Sequence, residues 1–372
     1  MTAVLSPVHL FWLLLVLCLA GFALLYGMVR DAGRGARRRT LQRRIDALGP
    51  WAAEADEAAV PAIKEAMSQA QQARRQSPQQ RDAPVPWFLF VGDAAANLPG
   101  LLAAAGAERL APQDSEPFGE PYWRWWLTGS LTAIELHPAA VSDKANEPHT
   151  RGLWLQSLLA LAERRERLPL NGMVVCVAAG DLLRTDTAHI KPLAARMRRL
   201  LEEAGDTLRL QLPVYLVVTG LERLAGYATL RGALPPEVLA QAVGHRLAEP
   251  LAANDTAAAR LDALFDPMAQ QLHALRMALL REQPSASGRL AIHEFVEAMR
   301  ALQPALHQVA DALFESHGRG SRGPRWRGLY FAAAASDAAG GAFTADLFGR
   351  FLPADQPLAR PGRPPNASAP PP

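Results

Sequence analysis

Gly172 to Gly180 reads GMVVCVAAG, seven apolar residues between two glycines. A strand with one wet face alternates polar and apolar side chains, so an unbroken apolar run of this length predicts a strand buried on both faces of a parallel sheet. Two other stretches share that grammar: Trp87 to Gly92 (WFLFVG) and Pro213 to Gly220 (PVYLVVTG). Each closes on a glycine and is followed by helical periodicity. Strands alternating with helices predict an α/β fold with a mostly parallel sheet and helices on both faces. Between the first two runs, Trp123 to Leu136 (WRWWLTGSLTAIEL) holds two strand-like segments separated by Gly129 and Ser130, the pattern of a hairpin and of one antiparallel edge.

Beyond Pro235 the β signal fades. Helical stretches follow at Leu261 to Arg281, Ala291 to Leu302 and Ala305 to His317. In the first of these Leu261, Leu264, Phe265, Met268, Leu272, Leu275 and Leu279 recur at three and four residues, the spacing of one buried helix face. A Gly- and Arg-rich loop, Gly318 to Gly323, leads to a last strand candidate at Leu329 to Ala333. Residues 353–372 hold eight prolines and little to bury, which predicts a disordered tail.

Toward the N-terminus, Leu10 to Val29 (LFWLLLVLCLAGFALLYGMV) is twenty residues without a charge, long enough to cross a bilayer core of about 30 Å. A cleaved signal peptide needs positive charge before the apolar run and a small-residue cleavage site after it, and neither is present. A retained membrane helix is the expectation. Seven arginines (30, 34, 37, 38, 39, 43 and 44) follow the run and no Lys or Arg precedes it. That asymmetry predicts residues 1–9 outside and the long C-terminal part in the cytoplasm. Thr40 to Arg75, rich in Ala, Glu, Gln and Arg and interrupted by Pro50 and Pro61, reads as helices leaving the membrane. Gln76 to Pro86 reads as a polar linker.

The charge balance supports this division. The 372 residues carry a formal net charge of +3, but residues 1–50 have seven Arg against two Asp, leaving 32 − 34 = −2 for the remainder. Basic charge concentrated behind an apolar helix, rather than spread over a folded face, argues against nucleic acid as a partner. Cys18 and Cys176 are the only cysteines, so neither a disulfide framework nor a cysteine metal site is available. Cys176, flanked by Val175 and Val177, has no placed base to activate it. The nine histidines show no zinc-ligand spacing, and Glu163 to Arg167 reads as the solvated end of a helix.

In a P-loop NTPase the first strand enters G-x-x-x-x-G-K-[ST], whose amides and lysine hold phosphate while the hydroxyl holds magnesium. The matching residues here are Gly92-Asp93-Ala94-Ala95-Ala96-Asn97-Leu98-Pro99. Only the first glycine survives. Leu98 replaces the ammonium, Pro99 removes both a hydroxyl and a backbone donor, and Asp93 places negative charge where phosphate would sit. At the usual strength of charge-assisted contacts these changes remove about 5 to 8 kcal/mol, or about four to six orders of magnitude in affinity.

Several stretches resemble the IcmF/TssM family, inner-membrane components of type VI and related type IV secretion machines. Pro86 to Gly92 (PWFLFVG) is similar to that family's PWYLVIG. Trp125-Trp126-Leu127-Thr128 is similar to WWFT, Leu168 to Leu183 (LPLNGMVVCVAAGDLL) to RPLNGVIVTVSVADLL, Leu212 to Tyr227 (LPVYLVVTGLERLAGY) to LPVYVLVTKCDLLAGF, and Arg327 to Phe331 to RGVYF. The resemblance covers residues 86 to about 350 and implies a P-loop-NTPase-like domain. The family's other nucleotide motifs depart here too. Its LLDTAG becomes Ala133-Ile134-Glu135-Leu136-His137-Pro138, with Glu135 for the metal-binding Asp and Pro138 for the γ-phosphate glycine. Its T-K-x-D becomes Thr219-Gly220-Leu221-Glu222, without the lysine that packs on the base.

The resemblance therefore implies a short paralogue with the cytoplasmic half and no periplasmic part. The expected organisation is a periplasmic N-terminus (1–9), a transmembrane helix (10–29), a basic juxtamembrane and helical linker (30–86), a degenerate NTPase-like domain (87–235), a helical subdomain with a terminal strand (236–352) and the tail. No catalytic residue, cofactor or metal ligand is assigned. The expected role is a non-catalytic docking subunit in the bacterial inner membrane, with a full-length IcmF/TssM-like protein, a DotU/TssL-like protein and the baseplate as implied partners. The alternative is a GTPase-like switch that binds nucleotide weakly through loop amides and Glu222.

Overall fold

The computed structural model describes residues 7–76, 85–110, 121–165, 168–184, 188–247, 256–315, 324–334 and 341–362; in the first two helices the described side chains are 11–25, 35, 37–49 and 61–76. Its strands are β1 (Trp87–Gly92), β2 (Glu108–Arg109), β3 (Trp123–Leu127), β4 (Thr132–Leu136), β5 (Gly172–Ala178), β6 (Leu210–Gln211), β7 (Pro213–Thr219), β8 (Val243–Arg246), β9 (Arg325–Phe331) and β10 (Arg360–Pro361). The helices are α1 (Pro7–Asp46), α2 (Pro50–Gln76), α3 (Leu98–Ala104), α4 (Pro148–Arg164), α5 (Ala179–Leu182), α6 (Ile190–Leu208), α7 (Tyr227–Gly232), α8 (Pro236–Ala240), α9 (Ala257–Glu282), α10 (Ala286–Ala301), α11 (Gln303–Phe314) and α12 (Leu352–Ala354).

Eight strands form one sheet in the order β2-β3-β4-β1-β5-β7-β9-β8, and β6 pairs with β10 in a short separate ladder. The five central strands from β4 to β9 are parallel. The expected hairpin forms the antiparallel pair β3–β4. Every residue of β1, β5 and β7 is buried, as their unbroken apolar runs require. Side chains alternate across the sheet. Trp87, Leu89 and Val91 enter the larger apolar cluster, which holds α4, α6 and α9 to α11. Phe88 and Phe90 face the smaller cluster, covered by α3, a π-helical turn at Leu347–Phe351, and Leu352 of α12.

Three parts of the expected organisation are corrected. First, residues 30–86 are not merely a linker. Leu41 and Ile45 of α1 and Ile63, Met67 and Ala70 of α2 are buried in the same cluster as β1. Their spacing of three and four residues makes a stripe that alanine-rich surroundings disguise. Arg74 donates from Nε to Thr132 Oγ1 at 3.1 Å and from its other end to the Leu131 carbonyl, and Arg44 reaches Thr207 Oγ1 at 3.3 Å. Pro61 lies inside α2 instead of interrupting it, and residues 77–84 of the expected linker are outside the described residues. Second, no break in the sheet falls at residue 235. Strands β8 and β9 extend the same sheet, and Phe314 of α11 stacks on Trp326 of β9 at 4.5 Å. Third, the expected disordered tail begins with ordered residues, since Asp355 is 4% exposed and β10 pairs with β6. Residues 363–372 lie outside the description, as do Gly318 to Gly323.

The expected membrane helix falls on α1. Among the described residues no helix is long and apolar enough to cross a membrane. The described side chains cover Phe11 to Leu25, fifteen positions, and all of them are exposed, Phe22 at 73% and Leu24 at 70%. The side chains of Leu10 and of 26–29 are outside the description.

Candidate functional site

The chain leaves β1 toward β4 on one side of the sheet and returns to β5 on the other. In an open parallel sheet the crevice beyond the strand C-termini at such a reversal is where ligands bind. The loop after β1 lies there.

That loop folds onto itself. Residues Ala94–Ala96 form one 3₁₀ turn, capped by Asp93, whose Oδ1 accepts from the Ala96 amide at 3.1 Å. Asn97 adopts φ 46°, ψ 57° and caps α3, its Oδ1 accepting from the Gly100 amide at 3.3 Å. The Asn97 amide donates to Ala94 O at 3.3 Å and the Leu101 amide to Asn97 O at 3.1 Å. The Ala96 and Asn97 amides, at positions that would face phosphate, are thus engaged within the loop. Gly92 is pressed against β5, so that a Cβ there would stand 3.0 Å from Ala96 Cβ and 3.2 Å from the Cys176 carbonyl. Leu98 is 2% exposed and packs with Phe88, Phe90 and Leu101. It therefore points into the core, where a lysine in its place would bury its charge. Burial pushes the Asp93 carboxyl above its usual range; the Ala96 amide opposes this and the Asp181 charge of α5 adds to it.

The second set of positions is equally occupied. Glu135 is buried, with Oε1 accepting from Arg124 at 2.7 Å and Oε2 from the Trp126 indole at 2.8 Å. Burial raises its carboxyl above the ordinary range, while Arg124 and the indole pull it back. Pro138 opens a 3₁₀ turn capped by His137, whose Nδ1 accepts from the Ala139 amide at 3.2 Å. Both Glu135 oxygens are engaged in the hairpin, an arrangement that suits structural charge better than metal binding.

At the end of β7, Thr219 Oγ1 donates to the Val177 carbonyl at 3.4 Å and Gly220 takes φ 81°. Glu222 Oε2 accepts from the Ala334 amide at 2.9 Å and thereby fastens the chain beyond β9. Cys176 lies buried in β5, and burial pushes its thiol up. The nine singled-out positions thus gather around the strand ends and the β3–β4 hairpin. The side chains of Asn97, Thr219 and Glu222 bond to backbone, and that of Glu135 to Arg124 and Trp126.

Two residues that sequence reading did not assign matter here. Arg124 faces Glu135 directly across the hairpin, a pairing that follows from centring the turn on Gly129 and Ser130. Arg165, expected on a solvated helix end, lies 4.5 Å over the Trp87 ring, and burial lowers its guanidinium to about 10.

Residues 148–340 match the family described as the IcmF-related N-terminal domain. The chain belongs to that family. The IcmF-related match opens at α4 and closes just beyond β9, so it contains Thr219, Gly220 and Glu222 but neither the β1 loop nor Glu135. The chain is also similar to the type VI secretion system component TssM1 of Pseudomonas aeruginosa (strain PAO1), at 23% identity over 254 residues. That alignment covers 66% of this chain and 23% of TssM1, so the chain spans under a quarter of that relative's length.

Proposed function

We propose that this IcmF-related chain is a non-catalytic subunit of a type VI secretion apparatus, with the α/β body as docking module and α1 as its anchor in the bacterial inner membrane. The observation that carries this reading is the β1 loop, whose amides bond within the loop while Leu98 fills the core. A fold that retains its sheet but engages the Ala96 and Asn97 amides within the loop offers surfaces rather than turnover. The exposed apolar side chains from Phe11 to Leu25, followed by arginines, support an N-terminus in the periplasm and a body in the cytoplasm. The family relationship makes a full-length IcmF/TssM-like protein, a DotU/TssL-like protein and the baseplate the partners to test.

The competing reading, a weak nucleotide-dependent switch, relies on Glu222, and that carboxylate is engaged by Ala334. Calorimetric titration of the full chain in detergent micelles with magnesium and GTP or ATP separates the two. No heat of binding is expected at millimolar nucleotide. Micromolar affinity would overturn the non-catalytic reading in favour of the switch.

A further inference from the structure

Ser68, Gln71, Gln72 and Arg75 of α2 and Arg164 of α4 line a surface basin of about 570 Å³. Arg164 is held by donating to Gln71 Oε1 at 3.1 Å and to Ser68 Oγ at 2.9 Å, both neutral partners. Among the described residues neither Arg75 nor Arg164 pairs with a carboxylate. The neighbouring acid, Glu163, is already shared by Arg38 and Lys64, each at 3.2 Å. Net positive charge therefore surrounds the basin.

Its position along α1 is set by two contacts. Arg44 touches Thr207 at the end of α6, and six residues earlier Arg38 touches Glu163, next to Arg164. From there toward the N-terminus, Phe11 to Leu25 are exposed throughout. Followed from the apolar run into the body, the helix thus reaches the basin's side first and the α6 side after it. At 1.5 Å per residue, Val29 and Arg38 are separated by about 14 Å along the axis.

We propose that this basin seats the phosphate of an anionic phospholipid headgroup and so holds the body against the membrane that α1 enters; this rests on the reading of α1 as a membrane span. Arginine suits the task because its planar fork meets phosphate oxygens two at a time. Each basic residue at an anionic membrane surface strengthens attachment about five-fold.

The test uses the full chain with Cys18→Ser and Gln72→Cys, labelled in the basin with a polarity-sensitive fluorophore and reconstituted into phosphatidylcholine vesicles with increasing phosphatidylglycerol. The label should shift to the blue as phosphatidylglycerol rises, and added salt should reverse the shift. Arg75→Gln and Arg164→Gln should each raise the phosphatidylglycerol fraction at half-shift about five-fold, whereas Arg75→Lys with Arg164→Lys should largely preserve the response. Absence of a phosphatidylglycerol response, or a response unaltered by the glutamine variants, overturns the proposal. A shift produced by inorganic phosphate on neutral vesicles would assign the basin to a free anion and overturn the lipid. Flotation with neutral vesicles isolates the underlying reading: a chain that floats but gives no headgroup response defeats the basin alone, while one that floats with no vesicle defeats the span and the basin together.

Discussion

Around the β1 loop, at the C-terminal edge of the sheet, hydrogen bonds close within three or four residues of chain, from Asp93 to Ala96 and from Asn97 to Gly100 and Leu101. At the opposite edge Asp355 accepts from Arg327 at 2.9 and 3.2 Å, from Tyr215 at 2.8 Å and from Arg246 at 3.2 Å, partners 28, 140 and 109 positions away. Those three residues belong to β9, β7 and β8. Short-range bonds close the β1 loop on itself, while at the same edge Glu222 reaches across to the Ala334 amide. Long-range charged bonds make the second edge the place where remote segments are tied together. In this IcmF-related fold the shared Asp355 network ties strands together at the pole away from the switch-point crevice, while the Arg124–Glu135 pair fastens the β3–β4 hairpin.

The largest effect should come from that second edge. Asp355→Ala leaves Arg327 and Arg246 without their shared carboxylate, and removing one partner of a buried pair costs about 3 to 5 kcal/mol. Denaturant unfolding of the full chain should show it; a loss under about 1 kcal/mol would put Asp355 with ordinary surface pairs and erase the contrast between the edges. A smaller loss is expected from Leu98→Lys with Pro99→Thr, which restores the letters of a phosphate loop. Because Leu98 is core, the double variant should lose about 2 to 4 kcal/mol through lost packing and a buried charge. It should hydrolyse no nucleotide, since Glu135, Pro138 and Gly220 remain unsuited to it. Phosphate release above a matched preparation of the unaltered chain would show the loop to be readily reopened.

The smallest effect concerns Asp93. Its carboxyl is held above the ordinary range, so its contribution to stability is complete below the usual aspartate range and is lost as pH rises through the raised value. At neutral pH the ionised group is therefore a net cost. Asp93→Asn keeps the Oδ1 acceptor for Ala96 and should stabilise by less than about 1 kcal/mol at neutral pH. The gain should vanish near about pH 3. Thermal unfolding at the two pH values measures it, and destabilisation at neutral pH would mean that the charge itself supports the turn.

The central strands were legible because a strand buried on both faces leaves an unbroken apolar record, and GMVVCVAAG is one. The altered site letters were equally plain. What Leu98 does instead was not, because a leucine in place of lysine reads the same whether it faces a crevice or the core. Strand β8 escaped notice for another reason. It is partly exposed, and Gly244 at φ 139° lies so close to the Leu329 carbonyl that a Cβ would stand 2.1 Å from it. Its pairing with β9, rather than any side-chain pattern, makes it a strand. Asp355 is a lone acid in a proline-rich stretch, and its three partners come together only when the sheet forms. The stripes on α1 and α2 were present in the sequence but hidden among alanines.

The buried ends of the body also determine where the chain can be cut. Leu41 and Ile45 continue a helix that begins in the apolar run, and at the other terminus the Gly362 amide donates to the Arg209 carbonyl at 2.7 Å. A fragment opening at β1 would strip α1 and α2 from the core and expose the apolar surface they cover; one closing at Leu352 would lose Asp355. Proteases acting on the native protein should therefore release an intact domain only by cutting α1 between the apolar run and Leu41. A piece that keeps the fold has to carry part of α1 with it, starting near Gly35 and running through Gly362.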